Sequence, residues 1–253
     1  MQKTQPKSAP PKPRSEIVHS QITRLPHLNL TRRLVRFILR SLTRLLVWLF
    51  TRIEVHGMEN MPRQGPILVV TNHLGDADLV IGVAATPRVV DVMAKADLYD
   101  LPILGWLMDA YGVIWVHRGQ PDRKALRAAL QGLADGRVII IAPEGRESVT
   151  GALEEGTHGA AFLALSAKVP ILPATLTGTE NSRIFGNMKR LHRTRVNLTI
   201  GKPFYLPKGP GEDQEDAEIH QLSDRQRAIQ LGTQVIMKTL ANQLPPEYRG
   251  VYE

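Results

Sequence analysis

The sequence predicts an α/β domain, a mixed, largely parallel sheet flanked by helices, with an amphipathic helix ahead of it. Short apolar runs rich in β-branched residues recur at 67–70, 89–93, 113–116, 138–141, 171–176 and 195–200. Segments of helical spacing separate most of them, the alternation that gives strands joined by crossover helices. The 253 residues, 43% of them hydrophobic, suffice for one such core with appendages.

The charge is unevenly placed. Residues 1–52 hold eleven Lys or Arg against Glu16 alone, a local +10 in a chain whose formal total is +8, so the remainder is slightly acidic. Residues 1–27, with Pro6, Pro10, Pro11 and Pro13 and no apolar run, read as a disordered basic tail rather than a signal peptide. In 28–56 the residues Leu34, Val35, Ile38, Leu39, Leu42, Leu45, Leu46 and Leu49 follow helical spacing, while Arg32, Arg33, Arg36, Arg40 and Arg44 fan across the other side. The longest uncharged stretch, 45–51, is far below the roughly 20 apolar residues that span a bilayer. A cationic helix with a broad Leu face and Trp48 is therefore expected in a membrane interface, its arginines drawn to anionic lipid. The alternative is a helix packed on the core with solvated arginines. Nucleic acid is not expected as a partner, because the apolar face offers no base readout and the remaining chain has no basic excess. The chain has no Cys, which excludes disulfides and thiolate zinc sites and is compatible with a reducing compartment.

Downstream, 57–206 reads as the central domain. The strand at 67–70 ends in Asn72-His73-Leu74-Gly75-Asp76-Ala77-Asp78. Residues five apart share no face of a helix, so His73 and Asp78 meet only if the chain turns between them, which Gly75 permits. Asp76 is placed to cap the helix expected at 79–85, with Asp78 in its first turn and pointing back at the imidazole. A His with a carboxylate on its other nitrogen can take a proton from a hydroxyl. No Gly-x-Ser-x-Gly elbow supplies a nucleophile, so the hydroxyl activated can be the substrate's. A His and an Asp at this spacing also arise where each merely caps an element, and the pair alone leaves both roles open.

Other strand ends carry cations or acids: Lys95 after 89–93, His117-Arg118 after 113–116, and Glu144-Gly145-Arg146-Glu147 after 138–141. Helices are expected from Asp122 to about 134 and over 157–167. Cations converging on one edge beside a base suit a substrate with a hydroxyl to deprotonate and a phosphate to hold. In 207–253 the segment 212–218 reads as an acidic loop. A helix over 224–244 follows, with Ile229, Val235, Ile236 and Leu240 inward, ended by Pro245-Pro246.

Four blocks in order carry a resemblance. NHLGDAD at 72–78 resembles the His-x-x-x-x-Asp motif of the glycerolipid acyltransferases, the lysophosphatidate (1-acylglycerol-3-phosphate) acyltransferase family. GVIWVHRG at 112–119, APEGRES at 142–148 and VPILPATLTG at 169–178 resemble its second, third and fourth motifs. The resemblance covers 57–201. It implies the glycerol-phosphate acyltransferase-type fold and transfer of an acyl group from an acyl thioester, CoA or acyl carrier protein, to a lysophospholipid hydroxyl, with lysophosphatidate giving phosphatidate. It assigns His73 as general base and Asp78 as its orienting acid. Lys95, Arg118, Glu144, Gly145 and Arg146 are assigned to the acceptor phosphate, and Pro170, Ile171 and Pro173 to the acyl site. It implies no cofactor beyond the thioester co-substrate, no metal, and a peripheral protein on the cytoplasmic face of a membrane. Where the family has Thr-Arg-Ser, this chain has Arg146-Glu147-Ser148, the Arg one place early. That leaves another polar lysolipid open as acceptor. A metal-dependent phosphoesterase using His73, Asp76 and Asp78, and a non-enzymatic peripheral lipid-binding protein, are the readings from other classes.

Overall fold

The structure, a computed structural model, describes residues 13–17, 19–117, 122–207 and 218–253. In chain order these form the single helical turns α1 (Arg14–Ile17) and α2 (His19–Ile22), then α3 (Leu30–Phe50), β1 (Thr51–His56), β2 (Ile67–Thr71), α4 (Ala77–Ala85), β3 (Val90–Lys95), α5 (Leu104–Tyr111) and β4 (Ile114–Val116). They continue as α6 (Arg123–Ala134), β5 (Val138–Ile141), α7 (Gly159–Ala167), β6 (Ile171–Thr177), α8 (Asn181–Lys189), β7 (Thr194–Ile200) and α9 (Glu218–Gln243). The strands make one sheet in the order β1-β7-β6-β2-β5-β3-β4. Every described pairing is parallel except β6 with β7.

A strand buried on both faces needs apolar residues at consecutive positions, and β2 meets that with Ile67, Leu68, Val69 and Val70 all buried. Alternation sends Ile67 and Val69 into a core cluster with residues of α4 and α5, and Leu68 and Val70 into one built with α6, α7 and α9. Both clusters end at the carboxyl edge of the parallel strands, where the polar loops lie.

Three expectations are corrected. The described residues of 13–17 and 19–27 are not a loose tail. Ser15, Ile22 and Thr23 are buried, the Ser15 N–H and hydroxyl donate to Asp100 at 2.8 and 2.6 Å, and the Pro26 carbonyl accepts from Arg137 at 3.0 Å. The remainder of the expected tail, 1–12, lies outside the described residues, as does the acidic loop up to its last residue, Glu218, which opens α9. The helix expected through residue 56 stops at Phe50, because Thr51–His56 pairs with Thr194–Thr199 as an edge strand of the sheet. Pairing with a strand so distant in the chain, Thr51 opposite Thr194, leaves no local mark in TRIEVH.

The third correction concerns the arginines of α3. Arg36 is 3% exposed, forms an ion pair with Asp91, donates to the Tyr111 and Gly112 carbonyls at 2.7 and 3.2 Å, and stacks on the Tyr111 ring. Arg40 donates to the Val83 carbonyl at 3.3 Å and to that of Thr86, and Arg44 to that of Ala84 at 3.1 Å. The carbonyls ending α4 have no partner within their own helix, and cations at that negative end of the dipole satisfy them. Arg36, Arg40 and Arg44 thus bond to the domain, and most of the Leu face points away from it, Leu39 excepted. Leu34, Phe37 (70%), Ile38, Leu42, Leu45, Trp48 (65%) and Leu49 are exposed, and so are Ile103, Leu104 and Trp106 (68%) on and beside α5, which packs against α3. In α9, Ile236 and Leu240 are buried as expected, but Val235 is exposed.

Candidate active site

The loop after β2 is fixed by side chains that imitate strand pairing. Asn72, fully buried, donates to the Leu176 carbonyl and accepts from the Leu176 N–H, both at 2.8 Å, which extends the β2–β6 pairing one residue past its end. His73 is then held through its backbone: its N–H donates to Glu144 Oε1 at 3.1 Å and its carbonyl accepts from Ser148 N–H at 2.8 Å. Beyond it the chain turns back. Asp78 Oδ2 lies 2.9 Å from His73 Nδ1 and accepts the N–H groups of Leu74 and Gly75 at 2.6 and 3.0 Å. Against a carboxylate the Nδ1 is the donor, which makes Nε2 the basic nitrogen.

The capping therefore differs from expectation. Asp76 occupies the N-cap position of α4 without a side-chain cap bond, and Asp78 takes the free N–H groups while orienting the imidazole. Gly75 is required for closeness rather than for its backbone angle. A Cβ there would lie 2.6 Å from the Thr179 carbonyl oxygen and 2.7 Å from Asn181 Oδ1.

The loop after β5 supplies the second wall. Glu144 is buried and accepts from the N–H groups of His73 and Glu154, at 3.1 and 2.9 Å. Burial pushes its carboxyl up to about 7, against the pull of those two backbone donors. Its carboxylate accepts from two backbone segments and joins the His73 loop to the one around Glu154. Gly145 takes the left-handed conformation, φ +73°, and Thr157 closes the loop with both N–H and hydroxyl donating to the Pro143 carbonyl, at 2.7 and 2.8 Å. Arg146 is 62% exposed and pairs with Glu154 at 2.6 Å, and Glu154 also accepts Val149 N–H at 2.7 Å. Glu147 accepts from Asn181 Nδ2 at 2.9 Å. The same amide donates to Asp76 Oδ2 at 3.2 Å, and its oxygen accepts from Asp76 N–H at 3.0 Å.

Asn181, at the start of a helix the sequence reading missed, therefore links the His73 loop to the Glu147 loop. The C-terminal residues, given no role from sequence, brace the same region: Leu153 exchanges backbone bonds with Tyr248 and Val251, and Gly156 N–H donates to the Tyr252 hydroxyl at 3.1 Å.

Lys95 lines the site in an ion pair with Asp97, and Arg118 lies outside the described residues. His73, Asp78, Lys95, Glu144, Gly145 and Arg146 all border one cavity of about 1500 Å³ that wraps the carboxyl edge of the sheet and extends over both faces. On the α4 side its walls are Val69, Val92, Ile140, Leu172, Ala174 and Leu176, and it reaches Gly82, Thr86 and Met61. Pro170, Ile171 and Pro173, expected at the acyl site, do not line this cavity. Alternation along β6 turns Leu172, Ala174 and Leu176 toward the cavity and Ile171 into the opposite core cluster.

With this geometry in place, comparison with known proteins is informative. The family model described as Acyltransferase matches residues 52–177, from β1 to the end of β6. The chloroplastic 1-acyl-sn-glycerol-3-phosphate acyltransferase of Brassica napus is 27% identical over 180 residues, covering 70% of this chain and 52% of that protein. The protein of the same description from Borreliella burgdorferi is 30% identical over 153 residues, covering 59% and 61%. The chain spans about half the length of the plant and algal relatives it matches. The crystal structure of the 1-acyl-sn-glycerophosphate acyltransferase PlsC from Thermotoga maritima shares the fold, with a TM-score of 0.58 at 23% identity over 85% of this chain and 82% of that one. Motif blocks, family match and named relatives agree: residues 52–177 match the Acyltransferase family, and the chain is similar to proteins described as 1-acyl-sn-glycerol-3-phosphate acyltransferases.

Proposed function

We propose that the protein transfers a fatty acyl group from an acyl thioester to the hydroxyl of a lysophospholipid, lysophosphatidate foremost, with His73 as general base. One observation carries the reading: the His73–Asp78 pair, Nδ1 to Oδ2 at 2.9 Å, stands at the lip of a long cavity with apolar walls. His73 Nε2 takes the acceptor's hydroxyl proton as that oxygen attacks the thioester carbonyl. Asp78 stabilises the imidazolium, and the proton passes to the departing thiolate as the tetrahedral intermediate collapses. No acyl-enzyme is required, because the thioester is already activated. The donor's chain fits beneath α4, where each buried methylene is worth about 0.8 kcal/mol, and Gly82, Thr86 and Met61 would then set how far it reaches.

The exposed apolar face of α3, continued by Ile103, Leu104 and Trp106, is the surface on which the protein would sit at a membrane, where its acceptor resides. Among the described residues no helix is long and apolar enough to cross one.

Thiol release that depends on added lysophosphatidate and survives a chelator tests the function. His73→Ala is expected to lower turnover by about 10²–10⁴ with an unchanged melting temperature; turnover near wild type would remove His73 from the chemistry. A second acceptor stays in view for a specific reason. Arg146 is engaged by Glu154, and Glu147 stands where the family has Arg, so lysophosphatidate is to be assayed beside lysolipids with other head groups.

A further inference from the structure

We propose that the part of the cavity between α6, α7 and α9 receives the phosphopantetheine arm of the thioester donor, with Arg123 and Arg127 binding its phosphate. The inference rests on the acyltransferase reading and adds donor recognition to it. The cavity has two sides of different character. Its α4 side is apolar and suits hydrocarbon. Its other side has Leu126, Leu130, Phe162 and Ile229 as walls, with Arg123 and Arg127 on the same lining. A pantetheine arm, amides and methyls followed by phosphate, has that same mixed character.

The two arginines are four residues apart on α6, so they project from one side of the helix, a turn apart. Both are exposed, and among the described residues neither has a carboxylate partner; Arg127 Nε donates to the Arg123 carbonyl at 3.3 Å. Like charges at this spacing repel, and the positive end of the helix dipole disfavours cations in the first turns. The helix end itself is not the anion site, since Asp122 takes the Lys124 and Ala125 N–H groups at 3.0 Å. A phosphate between two guanidinium groups would relieve the repulsion and meet paired donors. Lys95 and Arg146 already have carboxylate partners elsewhere on the cavity rim, which leaves Arg123 and Arg127 as the lining cations without one among the described residues.

Calorimetric binding of CoA and of holo acyl carrier protein to the full chain and to its Arg123→Gln/Arg127→Gln variant tests the proposal without requiring turnover. Loss of two charge-assisted contacts is expected to raise the Kd for CoA about tenfold or more. The melting temperature should not change, because both side chains are exposed. An equal loss for holo acyl carrier protein identifies the pantetheine phosphate shared by the two donors, whereas a loss for CoA alone assigns the arginines to its diphosphate. Pantetheine, which lacks phosphate, is expected to bind both proteins alike. Equal CoA affinity in the two proteins, or no binding of either carrier by wild type, overturns the proposal. Failure of the acyltransferase reading has a different signature: CoA bound through the arginines, yet no thiol released with any lysophospholipid.

Discussion

Helices α3 and α6 are both amphipathic and both cationic, and they face the domain in opposite senses. α6 buries Ala125, Ala128, Ala129 and Leu133 and leaves Arg123, Lys124 and Arg127 outside. α3 buries Arg36, directs Arg40 and Arg44 at the carbonyls ending α4, and leaves Leu34, Phe37, Leu42, Leu45, Trp48 and Leu49 outside. Periodicity defines two faces of a helix, but which face turns inward depends on what the neighbouring elements offer. Around α6 that is the apolar layer of β5 and α7. Around α3 it is Asp91 and a row of unpaired carbonyls.

The sharpest way to break the comparison is to remove the inward charge. Arg36→Gln leaves Asp91, itself 2% exposed, with only the more distant Arg137 at 3.8 Å as a cation among the described residues. A loss of about 3–5 kcal/mol in urea unfolding is expected, the usual consequence of breaking a buried pair from one side. The double change Arg36→Leu/Asp91→Leu is expected to recover much of it, because no uncompensated charge remains. A loss under about 0.5 kcal/mol for Arg36→Gln, the size of an ordinary surface change, would mean that the arginine face is not packed inward.

Next in size is a matched pair of truncations. Leu133→Ala in α6 removes a fully buried side chain and is expected to cost about 2–5 kcal/mol, while Leu42→Ala in α3 stays within about 0.5 kcal/mol. Similar losses at the two sites would show that the Leu face of α3 is covered by something in the folded protein.

That outward face gives a third expectation. Leu34→Asp/Leu42→Asp is expected to abolish flotation with lipid vesicles at any salt concentration while the melting temperature holds. Arg36 is buried, and Arg40 and Arg44 are bonded to carbonyls at the end of α4, so anionic and zwitterionic vesicles should differ little. A double variant that still floats like wild type would place the membrane contact on another surface.

These outcomes bear on what was legible in the sequence. The six apolar runs became β2 to β7, since a β-branched run closed by a polar cluster is a local signal. The turn joining His73 to Asp78 was legible too, because spacing and Gly75 constrain it. What escaped is non-local. β1 was read as the end of a helix, and its strand pairing comes from β7. The facing of a strand buried on both sides cannot be read from consecutive apolar residues, so nothing in 171–176 indicated that Leu172, Ala174 and Leu176 turn to the cavity while Ile171 turns to the other core cluster. Asn181 carried no signal, because its role depends on two loops that approach it from 34 and 105 positions away.

The comparison of inward charges extends to Glu144, with the smallest expected effect. Arg36 is buried beside a carboxylate, whereas Glu144 is buried with two backbone N–H groups and no cation bonded to it in the described structure, so burial raises its carboxyl from the usual 4.5 to about 7. Between those two values the folded protein holds a proton that the unfolded chain has lost. The stability tied to this group is therefore complete below about 4.5 and is lost as pH rises through about 7, with a slope of at most about 1.4 kcal/mol per pH unit. Catalysis should run the other way. Only the ionised carboxylate accepts from His73 N–H and Glu154 N–H at full strength, so the His73 loop is held best above pH 7. Glu144→Gln is expected to remove this component of the stability slope between pH 5 and 7. At pH 8 it should lower kcat with little change in KM, because an amide has one acceptor where two N–H groups converge. Urea unfolding of both proteins across that pH range decides the point: identical slopes would mean that Glu144 is ionised throughout and that its hold on the His73 loop does not depend on pH.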